Sequence, residues 1–301
     1  MDVCYDEAMK VDFNRFPATD GVELQGWYSD AAGDTAVIHV HGKSGNGYEN
    51  HFLDTLRERY AELGVSFFAF DNRGRGVESY FPQEGALSPW GEGTKRGGSC
   101  YELFEESAFD VQGAVDFVKS QGKDHLILQG HSLGGPKVVN YLLGQPDSSV
   151  KSAILLAPTD MSGWAAKDPE HEANLRRAHQ LQTAGQGETI LGTRVGLDKD
   201  EISAQAYIGM YEAGTPVDIY GDREGGPLLR RLALRSLIVY GSQDIGITTI
   251  DRTINHWLER TGEFLNKNTE VKVIDGASHS FRGYENQLAD IISAFVRQMR
   301  L

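Results

Sequence analysis

The chain has 301 residues, 40% of them hydrophobic and 24% charged, a composition that excludes disordered and fibrous proteins and suffices for a substantial core. Its formal net charge of -14 argues against nucleic acid and anionic membranes as partners, because an acidic surface repels phosphate. The two cysteines, Cys4 and Cys100, are far apart and without metal-ligand spacing, which excludes a structural zinc site and a disulfide framework but leaves open whether the two pair.

The N-terminus is acidic and lacks the apolar segment of a signal peptide. No apolar run in the sequence approaches the length needed to span a bilayer. The cytoplasm is therefore the expected location of the protein.

Short apolar runs alternate with amphipathic segments, which predicts an α/β fold with a mostly parallel sheet and helices on both faces. Residues 10–16 and 22–29 alternate between polar and apolar, which indicates an antiparallel pair at the sheet edge. The strands expected to be buried on both faces are 35–40, 65–70, 125–130, 152–157, 236–241 and 271–275. Helical spacing of apolar residues is found in 52–63, 108–118 and 288–299.

Two segments interrupt this alternation. Residues 79–107 are rich in glycine and proline and predict a long functional loop. Residues 160–231 are far more than a compact connection needs, so we expect a cap inserted over one end of the sheet, with helices around 168–183 and 199–213. The remaining residues, 1–159 and 232–301, are expected to form the core domain.

Ser132 lies in the sequence GHSLG, which matches G-x-S-x-G at the point where a predicted strand ends and a helix begins. Such a sharp turn holds the serine in a strained conformation and brings backbone segments together, which explains the flanking glycines. It also places the hydroxyl at a helix N-terminus, where negative charge is stabilised. The pattern therefore predicts a nucleophile, although a tight turn that happens to contain serine would give the same letters.

A serine hydroxyl needs a base, and His279 is the best placed of the nine histidines. It follows the last predicted strand and precedes the C-terminal helix, so it is expected at the same sheet edge as Ser132. The base in turn needs a carboxylate that orients it. Asp244 follows the preceding strand and gives the chain order serine, aspartate, histidine. Asp160, which also follows a strand, is the competing candidate.

The expected donors to an oxyanion are the backbone N–H groups of Leu133, directly after the nucleophile, and of Lys43, in the loop after the strand 35–40. The side chain of Lys43 is expected to be free to point to solvent. The sequence GKSGNG around Lys43 does not match a phosphate-binding loop, because the Lys–Ser pair comes too early. No metal, nucleotide or other cofactor is expected.

Five motifs in order resemble those of the α/β-hydrolase superfamily: HVHGKSGNG, FDNRGRG, GHSLGG, GSQD and GASHSF. The resemblance covers roughly residues 20–160 and 232–300. It implies an α/β-hydrolase fold with Ser132 as nucleophile, His279 as base and then acid, and Asp244 as the orienting carboxylate. It also implies that Asp71 and Arg73 brace loops. GGSCYELFEES and GNGYEN are similar to a branch that includes fungal siderophore esterases.

The resulting hypothesis is a serine esterase that cleaves a small-molecule carboxylic ester, thioester or lactone. The alternatives are an acyltransferase or C–C hydrolase with the same triad, and a non-catalytic small-molecule receptor on the same scaffold. The oligomeric state does not follow from the sequence. The cap and the long loop are expected to supply aromatic residues to the substrate pocket: Tyr80, Trp90, Trp164, Tyr207 and Tyr211.

Overall fold

The computed structural model describes residues 10–86, 88, 91–144, 147–192, 195–221, 224, 226–262 and 265–299. The strands in these residues are β1 (Asp12–Pro17), β2 (Glu23–Ser29), β3 (Thr35–Val40), β4 (Ser66–Asp71), β5 (Ser79–Pro82), β6 (Thr94–Gly97), β7 (His125–His131), β8 (Val150–Leu156), β9 (Arg235–Gly241) and β10 (Thr269–Ile274). The helices are α1 (Phe52–Glu62), α2 (Ser107–Ser120), α3 (Gly134–Gly144), α4 (Met161–Ala165), α5 (His171–Thr183), α6 (Ala204–Tyr211), α7 (Ile245–Asp251), α8 (Ile254–Gly262) and α9 (Glu285–Arg297).

Eight strands form the central sheet in the order β1-β2-β4-β3-β7-β8-β9-β10. β1 and β2 pair antiparallel at one edge, and β2 pairs antiparallel with β4. All the other neighbours in this sheet are parallel. The predicted mostly parallel architecture and the antiparallel edge pair are confirmed, and each predicted strand is present to within a few residues. The expected burial of the strand at 271–275 is wrong, because β10 is the last strand of the sheet and only Ile274 in it is buried.

Helices cover both faces of the sheet, because its central strands are apolar on both sides. β4 is buried at every position, as expected for a strand enclosed between two helical layers. One apolar cluster joins the sheet to α1 and α9. A second apolar cluster joins the opposite face of the sheet to α2, α3 and α8. The functional loops are therefore confined to the two ends of the strands.

The long loop expected over residues 79–107 contains regular structure that the sequence analysis did not predict. β5 and β6 form a separate two-stranded antiparallel sheet within it, and α2 begins at Ser107. Each of these strands has four residues, too few to show an alternating pattern against the surrounding glycines and prolines. Backbone hydrogen bonds fasten the segment to the core, among them one of 2.7 Å from Gly98 N–H to the carbonyl of Arg73.

The chain between β8 and β9 contains α4, α5 and α6, and the two helices predicted there are present as α5 and α6. These residues have an apolar cluster of their own, which also includes Phe104 and Leu133 from the core. The limits 160–231 and the cap role of this insertion stay predictions.

Among the described residues, no helix is both long and apolar enough to cross a membrane. Cys100 is buried and has no disulfide partner among the described residues, and Cys4 lies outside them, so the question of whether the two pair stays open.

Candidate active site

Four predicted site residues lie just beyond the carboxyl ends of four parallel strands. Lys43 follows β3, Ser132 directly follows β7, Asp244 follows β9 and His279 follows β10. Since the carboxyl ends of parallel strands meet at one edge of a sheet, segments distant in the sequence are brought to the same rim. This is the edge at which α/β sheets bind ligands.

Ser132 occupies a strained turn between β7 and α3. Its φ of 57° lies in the left-handed region that non-glycine residues rarely adopt. The turn is held on both sides, because Ser132 N–H donates to Leu156 O at 2.9 Å and Ser132 O accepts from Gly135 N–H at 3.0 Å. A Cβ at Gly134 would lie 2.0 Å from the carbonyl oxygen of Val40. A glycine is required there because α3 passes so close to the end of β3.

The imidazole of His279 is hydrogen-bonded to the carboxylate of Asp244. His279 Nδ1 lies 2.9 Å from both carboxylate oxygens. Asp244 is 2% exposed and also accepts from Gly246 N–H at 2.8 Å, where it caps the start of α7. Because a carboxylate only accepts, Nδ1 carries the hydrogen, and in the neutral ring Nε2 has the free lone pair.

Ser132 directly follows His131 in the sequence, and the ring of His279 packs against the ring of His131. Among the described residues, no hydrogen bond joins Ser132 to His279. His279 is 28% exposed at its side chain, and its ring centroid lies 5.1 Å from that of His131, the residue before the nucleophile. Bonds between a nucleophile and its base often tighten only when substrate binds. The triad therefore stays a prediction, with the histidine–carboxylate half formed.

Asp160, the competing carboxylate, has other partners. It caps α4 by accepting from Gly163 N–H at 2.8 Å, and it accepts from the Arg260 guanidinium at 3.3 Å. Burial raises the pKa of Asp160, and the bonds to Gly163 and Arg260 oppose this shift. The structure thus brings Asp244, and not Asp160, into contact with His279.

His131 is a site residue that the sequence analysis missed. Burial lowers its pKa to about 3, with a smaller contribution from His279, so the ring is neutral at physiological pH. His131 Nε2 is 2.9 Å from the carbonyl oxygen of His279. A carbonyl only accepts, so Nε2 donates and fixes the loop that carries His279. The sequence offers no signal for this, because the residue before the nucleophile is variable in G-x-S-x-G.

The loop after β3 lies directly against the nucleophile. A methyl group at Gly42 would be 2.8 Å from Ser132 Cβ and 3.1 Å from Ser132 Oγ. The backbone N–H groups of Lys43 and Leu133 donate to no acceptor in the described residues. Two free donors beside a serine are what an oxyanion site requires.

Asp71 and Arg73 have the structural surroundings expected of bracing residues. Asp71 accepts from Gly47 N–H at 2.9 Å and so holds the loop after β3. Arg73 is buried and pairs with Asp110 of α2 at 2.6 Å.

The helix that follows the nucleophile turn carries a second buried ion pair. Lys137 of α3 pairs with Glu102 at 2.5 Å, and both side chains are wholly buried. The sequence analysis missed this pair, although a lysine among the valines of the nucleophile helix was a visible signal.

The expectation that the side chain of Lys43 points to solvent is wrong. Its ammonium contacts a carboxylate oxygen of Asp198 and lies 2.8 Å from Asp200 Oδ2 and 2.7 Å from the hydroxyl of Tyr211. All three partners belong to the insertion between β8 and β9. An ammonium deprived of water needs such compensation, and only the folded insertion could supply it.

The five aromatic residues predicted for the substrate pocket have different surroundings. Tyr80 is 45% exposed on β5 and donates to Glu78. Tyr207 and Tyr211 are buried in the insertion, where Tyr207 OH is 2.9 Å from His171 Nδ1. Trp164 on α4 is half-buried and its indole nitrogen has no partner in the described residues. Trp90 lies outside the described residues, and the pocket stays a prediction.

The sequence pattern of the alpha/beta hydrolase family matches residues 37–291. The chain is similar in structure to the alpha/beta hydrolase GrgF from Penicillium sp. sh18 (TM-score 0.64, 17% identity, 96% of each chain covered). It is also similar to Est1E from Butyrivibrio proteoclasticus with bound ferulic acid (TM-score 0.62, 18% identity, 94% and 98% covered). A third similar structure is the Pyrococcus furiosus esterase Pf2001 (TM-score 0.58, 16% identity, 96% and 91% covered). No curated protein matches the sequence.

Proposed function

Because the chain belongs to the alpha/beta hydrolase family, we propose that it is a serine hydrolase that cleaves a small-molecule carboxylic ester through an acyl-enzyme. The observation that carries the proposal is the hydrogen bond of 2.9 Å between His279 Nδ1 and Asp244, next to a serine in the left-handed conformation of a nucleophile turn. The esterase name of one structural relative supports the choice of reaction.

In the proposed acylation step, Ser132 Oγ attacks the ester carbonyl carbon while His279 Nε2 takes the hydroxyl proton. Asp244 stabilises the imidazolium that forms. The carbonyl oxygen becomes an oxyanion that accepts from the N–H groups of Lys43 and Leu133. As this intermediate collapses, the C–O bond of the ester breaks, and the alcohol leaves with the proton from His279. The acyl group remains on Ser132.

In deacylation, a water molecule takes the place of the alcohol. His279 removes one proton from the water, whose oxygen attacks the acyl carbon. The second tetrahedral intermediate uses the same two N–H donors. Its collapse returns the proton to Ser132 and releases the carboxylic acid. Residues 160–231 are proposed to cover this site as a cap, and a thioester or lactone would react by the same steps.

The proposal is tested by hydrolysis of p-nitrophenyl esters of increasing acyl length, run beside lactones, thioesters and amides. The wild-type protein is compared with Ser132→Ala. We expect the wild type to hydrolyse esters. The kcat of Ser132→Ala should be lower by at least about 10³-fold, because the attacking atom is gone. Dependence on acyl length would report the depth of the pocket.

Three outcomes would contradict the proposal. Product analysis in the presence of competing alcohols separates hydrolysis from acyl transfer, and a predominance of transesterified product would favour an acyltransferase. Binding of esters without any turnover by the folded wild type would favour a receptor. An active Ser132→Ala variant would show that another residue attacks.

A further inference from the structure

The side chain of Lys43 ties the loop after β3 to the insertion. Its ammonium is bound by the carboxylates of Asp198 and Asp200 and by the hydroxyl of Tyr211. The side chains of Lys43 and Asp198 are 12% and 14% exposed, so water competes weakly for either charge. Asp198 is bound a second time, by the Tyr211 hydroxyl at 2.8 Å. This is a shared network with well-defined geometry, unlike an isolated surface ion pair.

The acidic partners are themselves fixed. Asp198 and Asp200 lie in a turn closed by the hydrogen bond of 2.8 Å from Val195 N–H to Asp200 O. Tyr211 is the last residue of α6, and its ring centroid is 4.9 Å from that of Tyr207. The turn therefore presents its carboxylates from a position that the packed insertion determines.

The turn that carries Lys43 is, in contrast, weakly held by its own backbone. Its closing hydrogen bond, from Gly45 N–H to Gly42 O, is 3.4 Å long. Ser44, which directly follows Lys43, has a φ of 55°, in the left-handed region that a serine does not favour. Such a turn depends on outside contacts to keep one orientation of its N–H groups.

The second proposed donor is also held by the insertion. Leu133 is fully buried and belongs to the apolar cluster formed by residues of the insertion, among them Met161, Tyr207 and Met210. The two residues that carry the proposed donors are thus both joined to the same inserted segment through their side chains, Lys43 by charge and Leu133 by apolar packing.

We propose that the turn at Asp198 and Asp200 positions the Lys43 N–H, so that the insertion completes the oxyanion site in addition to covering it. Asp198 and Asp200 act in this role as positioning residues. This inference rests on the proposed esterase function, and it concerns the rate of the chemical step. A donor that acts mainly in the transition state raises kcat with little effect on KM.

The test compares Asp198→Asn, Lys43→Met, Lys43→Arg and the double variant Lys43→Met/Asp198→Asn. We expect Asp198→Asn and Lys43→Met each to lower kcat by about 10- to 100-fold at a nearly constant KM, less than the 10²- to 10³-fold that follows loss of a whole donor. The kcat of the double variant should be little lower than that of either single variant, because each single substitution already breaks the same connection between the loop after β3 and the insertion. Lys43→Arg can still pair with two carboxylates and should recover most of the activity.

A matched control separates positioning from general destabilisation. Lys123 is also a buried lysine, 2.8 Å from an aspartate, but it precedes β7 and so lies at the opposite edge of the sheet. Lys123→Met should lower the melting temperature at least as much as Asp198→Asn does, with kcat unchanged. A boronic acid that forms a tetrahedral adduct on Ser132 should bind more weakly to Asp198→Asn and equally well to Lys123→Met.

A wild-type kcat and boronate affinity in Lys43→Met and Asp198→Asn, in a protein that hydrolyses esters through Ser132, would overturn this inference and leave the proposed function intact. A wild-type protein that hydrolyses no ester would overturn both. If Asp198→Asn does not fold, Asp200→Asn replaces it, since that variant removes one contact of 2.8 Å and leaves the more buried pair in place.

Discussion

The substitution Asp244→Asn changes one atom of the site and reverses the polarity of its contact with His279. At present His279 Nδ1–H donates to the carboxylate, and one of the carboxylate oxygens also accepts from Gly246 N–H. In the variant, the amide oxygen can keep the bond to Gly246, and the NH2 then replaces the other carboxylate oxygen, 2.9 Å from Nδ1. A second donor so close to Nδ1 disfavours a hydrogen on that atom, so the imidazole is expected to move its hydrogen to Nε2.

The magnitude follows from this change of tautomer. With a hydrogen on Nε2, His279 has no lone pair for the Ser132 proton, and the imidazolium loses its buried counter-charge. In a serine protease triad, the same exchange lowers kcat about 10⁴-fold. We therefore expect a loss of about 10³- to 10⁴-fold, which corresponds to about 4 to 5.5 kcal/mol in the activation free energy.

The assay is steady-state hydrolysis of the best p-nitrophenyl ester, with Asp160→Asn as the matched variant. Asp160 is also a buried aspartate that caps a helix after a parallel strand, but its partners are Gly163 and Arg260. Asp160→Asn is expected to change kcat by less than about tenfold. A nearly silent Asp244→Asn beside a large loss in Asp160→Asn would refute the assignment of the carboxylate.

Three further predictions concern stability and packing. Burial lowers the pKa of His39 and His131 to about 3, so below about pH 6.5 the unfolded chain binds more protons than the folded one. These two residues should lower the unfolding free energy measured with urea by about 4 kcal/mol between pH 7 and pH 5, and His41, whose pKa is also lowered by burial, adds to this fall. Gly42→Ala should reduce kcat by about 10²-fold, because its methyl group would displace the nucleophile, whereas Gly144→Ala, in open space on α3, should keep full activity. Glu102→Gln should cost about 3 to 5 kcal/mol in urea unfolding, because it leaves the buried lysine of α3 without a counter-charge.

Each of these predictions has a contrary result. An unfolding free energy that does not change between pH 7 and pH 5 would mean that the two histidines are protonated in the folded protein. Equal activity of the two glycine variants would contradict the close approach of the loop to Ser132. A stability loss below about 1 kcal/mol in the glutamine variant would show that Glu102 and Lys137 do not form a charged pair in the folded protein.

The positions of Ser132, Asp244 and His279 at one sheet edge could be predicted because they depend on strand order alone. Each residue follows an apolar run that reads as a buried strand, and parallel strands end at the same rim. The choice of Asp244 over Asp160 rested on chain order, and the hydrogen bond to His279 agrees with it. The places of these three residues along the backbone could therefore be predicted from the sequence.

The side-chain partners could not be predicted, since they join segments without a local signal. The ammonium of Lys43 pairs with carboxylates about 155 residues away along the chain, and His131 bonds a carbonyl 148 residues away. The hairpin of β5 and β6 was missed because four-residue strands show no usable period.

The central claim is that Ser132 is an activated nucleophile, and covalent labelling with a fluorophosphonate tests it most directly. The folded protein is incubated with the reagent, and the adduct is counted and located by mass spectrometry, with Ser132→Ala and Asp244→Asn in parallel. We expect one label per chain on Ser132, none on Ser132→Ala and much slower labelling of Asp244→Asn. A folded wild-type protein that resists labelling, or an adduct on another residue, would contradict the account.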